Sequence, residues 1–160
     1  MKLSFRADSS RFSTDYPYCP QSLKEAARRA AGRSVADEFH DLLKDGGLAR
    51  VKQMIAARLE LLAELLPIVA NPEASINVRI GAGVVFEHYA GRAALQALVP
   101  QLGLLTRHAD ARVRADACHY LGLAGDARAR DYLTPRLGDE SAEVREIAAD
   151  SLEALPAAGR

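Results

Sequence analysis

The sequence predicts an all-α fold, an α-α superhelix in which three helix pairs stack as a solenoid behind N-terminal capping helices. Three observations carry this prediction. A short phrase recurs in the second half of the chain: Ser75-Ile76-Asn77-Val78-Arg79, Asp110-Ala111-Arg112-Val113-Arg114 and Ser141-Ala142-Glu143-Val144-Arg145. A proline in apolar surroundings precedes each copy, at Pro67, Pro100 and Pro135, so valines and prolines both return at intervals of 31 to 35 residues. The segments between them carry apolar side chains at helical spacing. A repeat of that length in helical patterns marks an array in which each pair buries its apolar face against the next.

Composition agrees and excludes several function classes. Aromatic residues make up only 6% of the chain and Trp is absent, which suits helices packed closely through Ala and Leu. The 21 basic and 21 acidic residues cancel, so net charge draws the chain to neither nucleic acid nor an anionic membrane. The balance tilts only mildly, with 11 basic and 7 acidic groups in residues 1–58 against 8 and 10 in residues 100–160. The start has no apolar stretch of signal-peptide length. The strongest apolar run, residues 59–70, contains Glu60, Glu64 and Pro67 and is too short and too charged to span a bilayer. Two cysteines 99 positions apart argue against a disulfide framework. The expectation is a soluble cytoplasmic protein without nucleic-acid or membrane partners.

Each element has a local reason. Residues 1–20 gather Phe5, Phe12, Tyr16 and Tyr18 with two prolines and are expected to form an irregular or partly disordered leader, with a short strand over residues 2–7 as the alternative. Pro20 suits the first turn of a helix over residues 21–31, which Gly32 ends. Ser34 is the N-cap residue of a second helix reaching Lys44, stopped by Gly46-Gly47. These two helices make residues 21–47 a cap. From residue 48 the stripe Val51, Ile55, Leu59, Leu62, Leu66 predicts one helix that Pro67 kinks or ends. Its partner covers residues 76–90, with Val78, Ala82, Val85, Phe86 and Tyr89 inward. Gly81 and Gly83 are costly inside a helix, by about 1 kcal/mol each, and are read as the close approach of another backbone. The following pairs cover residues 94–106 with 112–124, and 130–137 with 142–155. Residues 48–155 thus hold three helix pairs, and 156–160 are a tail.

The best-formed copy now reads as a family motif. Asp110-x-x-Val113-Arg114-x-x-Ala117-Cys118-x-x-Leu121-Gly122-x-x-Gly125-Asp126-x-Arg128-Ala129 resembles the HEAT-like repeat, in the short form named after phycobilisome lyases. Val144-Arg145-x-x-Ala148-Ala149-x-x-Leu152 matches as well, and Val78-Arg79-x-x-Ala82 more loosely. The resemblance covers roughly residues 60–155 and specifies fold more than function. It implies that Arg79, Arg114 and Arg145 join Asp110 and Asp139 in a ladder of charge-assisted bonds between turns. It also offers, by analogy with those lyases, a tetrapyrrole- or cofactor-handling role. A second likeness covers some fifteen residues. Tyr16-Pro17-Tyr18-Cys19-Pro20 resembles the Cys-Pro-Tyr-Cys-Pro site of thioredoxin- and glutaredoxin-like proteins, which implies a redox accessory role for Cys19. Tyr16 stands where that family has its nucleophilic cysteine, so a second protein would have to supply the other thiol.

Catalytic chemistry finds little support. The histidines lack ligand spacing on any one helix, so no metal site is expected. No phosphate loop or nucleophile elbow is present, and no catalytic residue or cofactor is expected. Cys118 falls on the small inward position of its repeat and reads as a buried hydrophobe. What remains is the outward stripe of the second helices on the inner curve of the array: Gly81, Val84 and His88, then Arg112, Asp116 and His119, then Glu143, Ile147 and Asp150. Its mixture of apolar and acidic groups suits a protein or peptide partner. The sequence therefore points to a non-catalytic interaction scaffold or adaptor of undetermined oligomeric state.

Overall fold

The computed structural model describes residues 32–156. The expected leader, the helix over 21–31 and the end of the tail lie outside them. Among the described residues there are helices and turns and no strand, so the all-α prediction holds. Helix α1, Val35–Lys44, begins as its sequence dictates: Ser34 Oγ accepts from the Asp37 amide at 3.1 Å, satisfying an amide that has no partner within the helix. Gly46, at a φ of 81°, turns the chain into helix α2, Leu48–Ala57.

Here the structure departs from the sequence expectation. The helix begun at Leu48 does not run on to Pro67. It stops at Arg58, whose backbone is extended at φ −147° and ψ 92°. A 3-10 helix, Leu59–Leu65, follows, then the short helix α3, Leu66–Val69. The break shifts the phase of the apolar stripe. Leu61, Leu62 and Leu65 are buried, whereas Leu59, placed inward by an unbroken helix, is 52% exposed. Pro67 sits in the first turn of α3, where a missing amide costs nothing. It starts a helix and does not end one.

The same device recurs, because Pro100 and Pro135 occupy equivalent places. The first helix of the second pair is split into α5, Ala93–Gln96, and α6, Val99–Leu105, with Pro100 in the first turn of the latter. In the third pair a 3-10 turn, Ala127–Ala129, helix α8, Arg130–Leu133, and a 3-10 helix, Thr134–Gly138, share the span, with Pro135 opening the last. Each proline opens a new helical segment, where its missing amide and its ring cost least. The second helices carry no proline and are continuous: α4, Ile76–His88, α7, Ala111–Ala124, and α9, Ala142–Ala154.

The core lies between these layers. Val78, Ala82, Val85 and Phe86 of α4 are fully buried, as are Val113, Ala117, Cys118 and Leu121 of α7 and Val144 and Ala148 of α9. Phe86 and Tyr120 meet at 4.5 Å between ring centroids, joining α4 to α7. The repeats also touch through backbone, since the Gly91 amide donates to the Leu123 carbonyl at 2.8 Å. Helices α7 and α9 approach closely, where a Cβ on Gly122 would stand 3.1 Å from the Cα of Ser151. Gly81 was expected to meet a backbone. What lies against it is the Leu43 side chain, whose Cδ2 would stand 2.8 Å from an added Cβ. Gly83 has open space apart from the Tyr120 hydroxyl at 3.4 Å.

Candidate partner-binding groove

The recurring arginines serve the turns, but not in one uniform ladder. Arg114 of α7 is almost wholly buried and all five of its N–H groups find acceptors. Nη1 donates to the carbonyls of His108 and Ala109, both at 2.9 Å, closing the turn before its own helix. Nε and Nη2 grip the Asp139 carboxylate at 3.0 and 2.8 Å, and Nη2 also reaches Glu140 at 3.0 Å. Asp139 further takes Arg136 Nη1 at 3.2 Å and the Ser141 amide at 3.0 Å. The guanidinium holds the Asp139 carboxyl below the usual carboxylate range, and the carboxylate raises Arg114 in turn. Arg145 repeats half of this arrangement: Nη1 donates to the carbonyls of Asp139 and Glu140 at 2.7 and 3.2 Å.

Arg79 differs. It reaches forward to the next second helix and donates to Asp116 at 2.6 Å and to the Arg112 carbonyl at 3.4 Å. The expectation that Asp110 would brace a neighbouring repeat fails, since its carboxylate is held by Arg112, two residues on, at 2.9 Å. Asp110 also accepts from the Arg112 amide at 2.8 Å, so the local N-cap claims it. Asp126 and Arg128 repeat this cap, with the amide bond at 2.9 Å. Ser75 and Ser141 stand at cap positions without a side-chain cap bond.

Between α4 and α7 lies a shallow groove of about 430 Å³. Of the stripe singled out from sequence it brings together Val84, Arg112, Asp116, His119 and Glu143. Arg79, assigned to the turns, lines it too. Gly81 belongs instead to a neighbouring depression of about 330 Å³ that shares Ile80 and Val84. His88, Ile147 and Asp150 line neither. The groove contains residues that sequence reasoning passed over: Ile76, Ile80, Gly83, Glu87 and Tyr120. Ile76 and Ile80 are 68% and 58% exposed, and they stand one helical turn apart on α4. A signal for them existed. In the aligned copies their places are taken by Ala111 and Ala142, and by Ala115 and Glu146, so two large β-branched residues stand out against small or polar ones. Gly83 leaves the floor open beside the Tyr120 hydroxyl, which burial pushes above its ordinary range.

The chemistry available in the groove is that of recognition: exposed aliphatic carbons, an exposed imidazole, and carboxylates. Cys118 is fully buried and burial pushes its thiol up to about 11, so it is held as a neutral thiol. Cys19 lies outside the described residues. Among the described residues no group of three or more His, Cys, Asp or Glu is placed to hold a metal ion, and no helix is long and apolar enough to cross a membrane. Residues 62–153 match the family model described as HEAT repeats. No curated protein and no solved structure matches the chain. Broken first helices, continuous second helices and the matched span together make this chain a member of the HEAT-repeat family.

Proposed function

We propose that the protein is a non-catalytic interaction scaffold or adaptor, which holds a protein or peptide partner in the groove between α4 and α7. The observation that carries this reading is the pair Ile76 and Ile80. Both are strongly exposed in a concavity, although the place equivalent to Ile80 in the next repeat, Ala115, is 3% exposed. Apolar side chains held out to water in a groove with a polar rim are the usual mark of a surface that another protein covers. Arrays of helical repeats present such surfaces by stacking, since each added pair lengthens the same face.

The test compares partners retained from cells by the wild type, by Ile80→Glu and by Leu104→Glu. Leu104 is equally exposed at 68% but lies on a first helix, α6. Both substitutions are on the surface and should leave stability within about 0.5 kcal/mol, checked by urea unfolding. A partner lost with Ile80→Glu and kept with Leu104→Glu supports the groove. Partners indifferent to Ile80→Glu would sink it.

A further inference from the structure

The side chains around the groove narrow what it can hold. Its two cations are already matched, Arg79 by Asp116 at 2.6 Å and Arg112 by Asp110 at 2.9 Å. Glu87 and Glu143 also line it, and among the described residues no ion pair engages either. An occupant bringing carboxylates would meet these two with no spare cation to offset them. An occupant bringing Lys or Arg would find two acceptors in the same groove as an apolar wall. That wall is Ile76, Ile80 and Val84, one side chain per turn over about 12 Å of helix. Anchors repeating about once per turn of an apposed helix would meet all three side chains.

Resting on the reading of this groove as the partner face, we infer that its occupant is a basic amphipathic helical segment of a partner protein. Its apolar side lies on Ile76, Ile80 and Val84, and its Lys or Arg side chains reach Glu87 and Glu143. Both carboxylates are exposed, so the attraction is modest and falls with salt.

The test uses the full chain, labelled at its isoleucine methyl groups, and two synthetic helix-forming peptides with the same leucine stripe, one flanked by lysines and one by glutamates. The lysine peptide should shift the Ile76 and Ile80 methyl signals, leave buried Ile55 unmoved, and bind more weakly at high salt. Glu87→Gln with Glu143→Gln should weaken it by about threefold to tenfold with an unchanged unfolding midpoint. If the glutamate peptide perturbs the same methyls as strongly, or the double variant binds like the wild type, the basic character is overturned and the face survives. If neither peptide moves Ile76 or Ile80, the inference is overturned outright, and the partner comparison with Ile80→Glu then judges the face independently.

Discussion

The two junctions between successive second helices are built from the same phrase and do different things. Between α7 and α9 the arginine is consumed: Arg114 is 5% exposed, gives every N–H group to an acceptor, and holds a buried Asp139 with two parallel bonds. The helices close to backbone contact through Gly122 and Ser151. Between α4 and α7 the arginine makes one carboxylate contact, from Arg79 to a half-buried Asp116, and the helices leave a groove with exposed isoleucines. One motif therefore serves as a clamp in one place and as a wall of an open surface in the other. The difference lies in what surrounds it. A buried partner at Asp139 and a glycine at 122 allow closure, while at the first junction Arg79 spans to Asp116 beside a groove that Ile76, Ile80 and Val84 line.

This contrast breaks first at Asp139. Asp139→Asn leaves Arg114 buried with its main counter-charge gone, and should cost about 3 kcal/mol in urea unfolding, near the low end for buried pairs because Glu140 remains. The pH dependence follows from the same group. Its carboxyl is held below its unfolded value of about 4, so its contribution is complete above about pH 4 and is lost as pH falls through the lower folded value. The wild type should lose stability progressively below pH 4, and Asp139→Asn should flatten that slope. A slope of equal steepness in the variant would show that other carboxylates govern acid unfolding.

Glycine substitutions give the next largest contrast. Gly122→Ala should destabilise by about 1–2 kcal/mol, as overpacking against Ser151 exceeds the gain in helix propensity. Gly83→Ala, with room around it, should instead stabilise by up to about 1 kcal/mol. Gly81→Ala must displace the Leu43 side chain, so most of that gain should be absent. Thermal melts of the three variants check the order, and a Gly122→Ala protein more stable than the Gly83→Ala one would reverse the assignment of tight and open junctions.

How much of this the sequence disclosed follows from what periodicity can report. Val78, Val113 and Val144 repeat with their small partners four residues on, so the second helices and their buried faces were legible to within a residue or two. The break at Arg58 was not, because apolar residues continue across it and only their phase changes. The prolines were visible, but a proline's role as terminator or initiator depends on whether the chain before it has already left the helix. The turn ladder was legible as arginine and aspartate in repeated places. Its wiring was not, since Asp110 had a nearer claimant in Arg112. On the groove, register identified Val84, Asp116 and His119, while Ile76 and Ile80 were passed over because the stripe was taken from positions one turn or more after the Val78-Arg79 pair, and Ile76 lies before that pair and Ile80 directly after it.

The central claim is that one repeated arginine clamps the second junction and leaves the first open. Double-mutant cycles on Arg114 with Asp139 and on Arg79 with Asp116, read by urea unfolding, test it most directly. The coupling within the first pair should exceed that of the second by about threefold or more, with the second staying below about 1 kcal/mol. Equal couplings, or a larger one for Arg79 with Asp116, would contradict it.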